Sequence, residues 1–208
     1  MVEQGTAEWL AQRVGKVTAS RVGDVVNRTK QGKPYQAYHD YMGELIAERL
    51  SGQTAEHFVT GPMMRGIELE PDARTRYEVE TGDLVVETGF IPHPTIPASG
   101  GSPDGLVGED GIIEIKCPNQ GTHVENLLRG EPDPRYIAQM QWNLDCTGRQ
   151  WADFVSYDDR FPDEYQFCVY RIELDQNWVA EARERVEEFL AELEKKLEEV
   201  EASVKEKA

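Results

Sequence analysis

Cysteine is sparse in this sequence: Cys117, Cys146 and Cys168 are the only three in 208 residues, far apart and without a CxxC spacing. An odd, scattered set argues against a disulfide framework, a zinc site or an iron–sulfur cluster, and fits reduced thiols in a cytosolic setting. Histidine is almost as rare. His39, His57, His93 and His123 never stand four residues apart, which argues against a histidine-based metal site. No stretch approaches the run of about 20 apolar residues that a membrane span needs. The opening MVEQGTAEWL has no basic region followed by an apolar run, so nothing resembles a secretory signal. Repeats, low-complexity tracts and Pro/Gly/Ser-rich linkers are absent as well. Positive charge is short: 22 Lys and Arg stand against 39 Asp and Glu, a formal charge of -17. On charge alone this reads as an acidic cytosolic enzyme acting on something uncharged, because a polyanion would be repelled.

Four Trp, eight Tyr and six Phe are nevertheless enough to anchor a globular fold, and the length suits one compact domain over residues 1–208. The acid is also unevenly spread. Residues 1–50 carry seven basic against six acidic side chains, whereas 51–170 carry eight against 21 and 171–208 carry seven against 12. The N-terminal quarter is therefore the least hostile to phosphate, and bound divalent cations can offset part of the central acid.

Thr6 and Ser20 are each placed to cap a short helix. From Tyr35 to Leu50, Tyr38, Tyr41, Met42, Leu45 and Ile46 recur at helical spacing. A further helix is expected to begin at Pro62 and to kink near Leu69–Glu70, because Pro71 cannot donate its hydrogen bond. LVVETGFI, IPASGGSPDGLV, GIIEIKC, WADFVSYD and YQFCVYRIEL read as strands, the second interrupted by glycines. The turn between the second and third is Gly108-Glu109-Asp110-Gly111. Arg135 to Cys146 reads as a helix stopping near Gly148. The stretch 175–208 sets Trp178, Ala182, Val186, Phe189, Leu190, Leu193 and Leu197 on one face of a long amphipathic helix. The whole is a mixed α/β domain, a central sheet flanked by helices.

The segment that carries chemistry is Ser102-Pro103-Asp104-Gly105 followed by Glu114-Ile115-Lys116. On a strand, Glu114 and Lys116 share one face while Ile113 and Ile115 take the other. Carboxylate oxygens are the hard ligands Mg²⁺ prefers, and a lysine beside them can orient a water and stabilise charge on a phosphorane-like transition state. Parity is the difficulty. A two- or four-residue hairpin centred on Glu109-Asp110 sets Asp104 opposite Ile115, on the wrong face. A bulge between Gly100 and Gly105, or an odd-length loop, restores it. The bland reading is an exposed strand with an i,i+2 ion pair beside a Pro-Asp-Gly turn.

Four separated blocks make the site more specific. They are Arg13-Val14-Gly15-Lys16-Val17-Thr18-Ala19-Ser20; Arg65-Gly66 leading to Glu70-Pro71-Asp72-Ala73; SPDG with EIKCP; and Tyr136-Ile137-Ala138-Gln139-Met140-Gln141. In this order and spacing the chain resembles the PD-(D/E)xK nuclease superfamily, and within it the lambda exonuclease or YqaJ-type alkaline exonucleases of phage recombination.

The resemblance implies Asp104 and Glu114 as metal-bridging carboxylates, the backbone carbonyl of Ile115 as a further ligand, and Lys116 as the catalytic lysine. Glu70 matches the family's helical glutamate, which acts on the metal through water. Glu68 competes for that role, but Glu70 shares a helical face with Ile67, Arg74 and Tyr77. Gln139 and Gln141 match the glutamine motif, while Arg13, Thr18 and Ser20 match residues that receive a 5′-phosphate. A guanidinium fork and the start of a helix suit an anion physically. The implied activity is Mg²⁺-dependent 5′→3′ degradation of double-stranded DNA from its ends, with two ions, Mn²⁺ as a substitute, and a 3′ single-stranded tail as product. A homotrimeric ring, a single-strand annealing partner and a cytoplasmic, prophage-type setting are implied with it. The alternatives are an endonuclease of the same fold, which would not need the Arg13/Ser20 block, a catalytically silent binding module, and an acidic small-molecule enzyme.

Overall fold

A computed structural model describes residues 2–54 and 60–206 of the chain; His57 and the last two residues of the 175–208 stretch lie outside them. In chain order the elements are α1 (Ala7–Arg13), β1 (Val17–Thr18), a 3-10 turn (Ala19–Arg21), α2 (Val22–Val26), α3 (Gln36–Ser51) and α4 (Gly61–Thr81). Then come β2 (Val85–Val86), β3 (Ile91–Pro92), β4 (Ser99–Gly101), β5 (Gly105–Val107) and β6 (Gly111–Lys116). They are followed by α5 (Gln120–Arg129), α6 (Pro134–Thr147), β7 (Trp151–Tyr157), a 3-10 turn (Asp163–Tyr165), β8 (Phe167–Glu173) and α7 (Gln176–Lys205).

The main sheet runs β2-β5-β6-β7-β8, parallel only between β6 and β7; a small sheet runs β1-β4-β3. β6 is covered on both sides, as its near-continuous Ile content requires. Ile113 and Ile115 pack with Leu69, Ala73 and Tyr77 of α4. Ile112, on the alternate face, packs with Met140 and Leu144 of α6. A third cluster joins α2, α3 and α7 through Val22, Tyr41, Leu45, Val186, Phe189 and Leu193. The apolar stripe of α7 therefore faces the core, and the expected central mixed sheet flanked by helices is the architecture found.

Local chemistry accounts for most boundaries. Thr6, Thr60, Asn119, Asp133 and Asp175 each accept from the first turn of the helix they precede. Gly52, Gly82, Gly130 and Gly148 end four helices with left-handed backbone. α4 stays one helical segment through Pro71, because Leu69, Ala73 and Tyr77 pin it to the sheet.

Two expectations are corrected, and one helix was not foreseen. Ser20 caps nothing: its segment tightens into the 3-10 turn whose flanking residue is Thr18, and α2 starts only at Val22. The stretch read as LVVETGFI divides into β2 and β3, which pair in different sheets. The middle of that stretch is tied to the N-terminus, since Gln4 Nε2 donates to the Thr88 and Pro103 carbonyls. α5 gave no periodic apolar signal. Its buried side chains are His123 and Asn126, both hydrogen-bonded to the Ser156 hydroxyl, while Leu128 is 82% exposed.

Candidate active site

Turn length places Asp104. Val107 pairs with Gly111, Leu106 with Ile112 and Gly105 with Ile113, so the loop is the three residues Gly108 to Asp110. An odd loop sets position 104 level with Glu114 rather than Ile115, and Gly108 supports it with φ +53°. The chain also leaves the ladder here. Asp104 N–H donates to the Ile113 carbonyl at 3.1 Å, and its Oδ2 accepts from Ile115 N–H at 2.6 Å. Beyond it the chain crosses to β4 in the other sheet. Of the two devices that the parity argument allowed, the odd-length loop is the one found.

Glu114 is fully buried on the face of β6 beneath α6. Its Oε1 accepts from Lys116 Nζ and from Gln139 Nε2, each at 2.5 Å. Burial pushes the Glu114 carboxyl up to about 7, and Asp104 and Glu70 add to the rise that Lys116 offsets. Glu70, reaching in from α4, is also raised to about 7 by burial and by Asp104, against the pull of Arg74 and Lys116. Arg74 donates to it at 2.8 Å. Asp104 is raised by burial, partly countered by Lys116 and its bond from Ile115. Burial alone would depress Lys116, but Glu114 and Asp104 outweigh it and hold the ammonium charged. Lys116 also lies 5.0 Å from the Tyr136 ring centroid. Glu68, the competing glutamate, is exposed on α4.

Three carboxylates, each raised chiefly by burial, with one lysine among them, form a site short of positive charge. A divalent cation would supply it, and oxygen donors suit a hard ion. Among the described residues no group of three or more His, Cys, Asp and Glu side chains is gathered to hold a metal. The donor set therefore fits an ion that takes one or two carboxylates and keeps several waters, as Mg²⁺ does. Ile115 meets the site through its N–H, which Asp104 accepts.

Arg13, Thr18 and Ser20 meet in a separate pocket of about 270 Å³, shared with Trp9, Lys16 and Arg21. Arg13 lies 3.9 Å over the Trp9 ring, and burial lowers its pKa. The Thr18 and Ser20 hydroxyls are 3.3 Å apart. A clasp from α3, unforeseen in the sequence, shapes the pocket. Glu48 Oε2 accepts from Gly15 N–H at 2.8 Å while Arg49 Nε donates to the Gly15 carbonyl at 3.0 Å. Gly15 has φ +67°, and a Cβ there would meet Arg49 Cγ at 2.6 Å. The pocket is tied to the carboxylates, because Trp9 Nε1 donates to Ser102 Oγ at 3.1 Å, two residues before Asp104.

Gln141 does not join the site. It lies two residues, about 200° of helix, from Gln139. Its amide bridges the Glu173 carbonyl and the Asp175 N–H, each at 2.8 Å, and so fixes the β8–α7 corner. Asn143 was missed. It is fully buried on α6 and its Nδ2 lies 3.4 Å from Glu114 Oε2. Its signal was an amide four residues beyond Gln139, on the same helical face.

A mixed sheet flanked by helices, with the acid and lysine of one central strand facing a carboxylate from the neighbouring hairpin strand, defines the class: this is the PD-(D/E)xK nuclease fold. The model of the YqaJ-like viral recombinase domain matches residues 8–150. The alkaline exonuclease LHK-Exo from Laribacter hongkongensis is 52% identical over 98% of this chain and 100% of that one, with a TM-score of 0.90. Its structure in complex with dAMP matches at a TM-score of 0.91, with the same identity and coverage. A phage-related exonuclease from Haemophilus somnus 129PT shares the fold at 18% identity, over 89% of this chain and 96% of that one, with a TM-score of 0.73. Among curated proteins nothing matches. The chain belongs to the YqaJ-like viral recombinase family.

Proposed function

We propose that this protein is a Mg²⁺-dependent DNA exonuclease that degrades the 5′-ended strand of a duplex and leaves a 3′ single-stranded tail for recombination. The observation that carries the reading is the link between the two sites: Trp9 stacks on Arg13 and hydrogen-bonds Ser102 beside Asp104. A phosphate receptor joined by one side chain to a carboxylate–lysine cluster suits cleavage measured from a strand end.

Asp104 and Glu114 would hold the metal with the Ile115 carbonyl, and Glu70 would act through water. The bound cation would polarise the scissile phosphate and lower the pKa of water. Lys116, kept charged by Glu114 and Asp104, orients the attacking water and stabilises the charge that develops on phosphorus oxygens. Gln139 holds Glu114 from above. Arg13 offers a fork to the terminal 5′-phosphate, with Thr18 and Ser20 hydroxyls as further donors. Gln141 supports the corner that positions α6 and takes no part in the chemistry. Two ions, Mn²⁺ as substitute, a single domain over 1–208, a homotrimeric ring around the duplex and a single-strand annealing partner complete the proposal. A ring reconciles DNA binding with the charge of -17, since only its lining must be positive.

The test is digestion of linear duplex labelled at either 5′ or 3′ ends, with and without a 5′-phosphate, in Mg²⁺. Loss of the 5′-ended strand, abolished in Asp104→Ala, is expected. Equal digestion of closed circles would replace the reading with an endonuclease, and sedimentation of the free protein tests the trimer.

A further inference from the structure

Glu114 presents two oxygens to its surroundings, and they are held unequally. Oε1 receives both Lys116 and Gln139, whereas among the described residues Oε2 receives only Asn143, from one turn further along α6. Asn143 is fully buried, and among the described residues its Oδ1 has no hydrogen-bond partner. Such an orphan acceptor destabilises a fold, and packing alone would be served by an apolar side chain. Reversing the amide would not relieve it, because Oδ1 would then face the Glu114 carboxylate, acceptor against acceptor. The neighbouring strand makes room for this orientation. Gly101 of β4 lies under the orphan oxygen, and a Cβ at that position would overlap Asn143 Oδ1.

We propose that Asn143 is a positioning residue for Glu114: with Gln139 it forms an i,i+4 amide pair that fixes the plane of the carboxylate for metal binding. The inference rests on Glu114 being a metal ligand. With Oε2 held, the carboxylate cannot turn about its Cγ–Cδ bond, and the lone pairs left on its oxygens keep one direction. Gly101 serves the same end by leaving space for the amide. Partners of this kind, which hold a ligand rather than the ion, typically change metal affinity by about 10- to 100-fold.

The experiment measures Mn²⁺ binding by calorimetry, without DNA, in the wild-type protein, Asn143→Ala and Asn143→Leu. Far-ultraviolet dichroism and melting establish that each variant is folded. Asn143→Leu keeps the shape but cannot donate, so both variants are expected to bind Mn²⁺ at least about tenfold more weakly. In turnover they require correspondingly more Mg²⁺, with the KM for duplex unchanged. Gly101→Ala is expected to weaken binding in the same direction by pushing the amide aside. Wild-type affinity in folded Asn143→Ala overturns the proposal, as does wild-type affinity in Asn143→Leu, which would make the residue a matter of shape. A wild-type protein that takes up no Mn²⁺ overturns the metal reading of Glu114 and this proposal with it.

Discussion

Replacing Glu114 with Gln should stabilise the metal-free protein at alkaline pH while abolishing its response to Mg²⁺. Glu114 is fully buried, and its carboxyl rises from 4.5 to about 7 on folding, chiefly through burial. A carboxyl raised in the folded state contributes stability that is fully present below 4.5 and is lost as pH climbs through 7. At about 1.36 kcal/mol for each pKa unit, the loss reaches roughly 3 kcal/mol above pH 7, an upper figure for a group coupled to Lys116 and Asp104. The Glu114→Gln variant resembles the protonated form at every pH and escapes that loss. For a chain of this length about 1 kcal/mol moves Tm by roughly 2–4 °C, so the variant should melt roughly 6–12 °C higher at pH 8 in chelator and only roughly 2–4 °C higher at pH 5. Added Mg²⁺ should close the gap, because binding to the folded state stabilises only the wild type. Glu70 acts in the same direction, more weakly because a third of its side chain is exposed. Scanning calorimetry at pH 5, 6, 7 and 8 decides the matter. A pH-independent difference, or a wild type that melts higher in chelator at pH 8, would refute the reasoning.

Lys116→Met should lower kcat by at least about 100-fold with little effect on duplex affinity, measured by single-turnover digestion, because its charge acts on the transition state. Gln139→Ala should reduce turnover, whereas Gln141→Ala should cost about 1–3 kcal/mol of stability, seen in urea melts, and leave chemistry intact. Arg13→Ala should remove the preference for 5′-phosphorylated over 5′-hydroxyl ends, read as a ratio of kcat/KM values. Gly111→Ala should destabilise the fold by at least about 1–3 kcal/mol in the same urea melts, because its Cβ would overlap the Trp151 ring across the β6–β7 pair.

The sequence and the structure divide the work along physical lines. Strands with continuous Ile and Val, and helices with an apolar stripe and a capping residue, are local patterns, and β6, α3, α6 and α7 could be read from them directly. α5 could not, because the side chains it buries are polar and its Leu128 faces solvent. The split of residues 84–92 between two sheets was equally hidden, since pairing partners lie far along the chain. At the site, the choice of Glu70 over Glu68 followed from helical faces, and the structure sets Glu70 against Asp104 and Lys116. The same argument, applied to Gln139 and Gln141, would have separated them: two positions on a helix cannot face one strand.

By itself the sequence marked the candidate side chains, because four separated blocks of acid, base and amide types stand in the order and spacing of the family. It also set the face of β6 on which Glu114 and Lys116 lie, since strand parity is a local property. Only the tertiary structure decided that Asp104 stands beside them, through a three-residue turn and a strand that leaves its ladder at that residue. Tertiary packing alone also brought α6 over Glu114, with Asn143 seated in the space that Gly101 leaves. Those contacts depend on loop parity and on which helix covers which face, and both are set by packing across the whole chain.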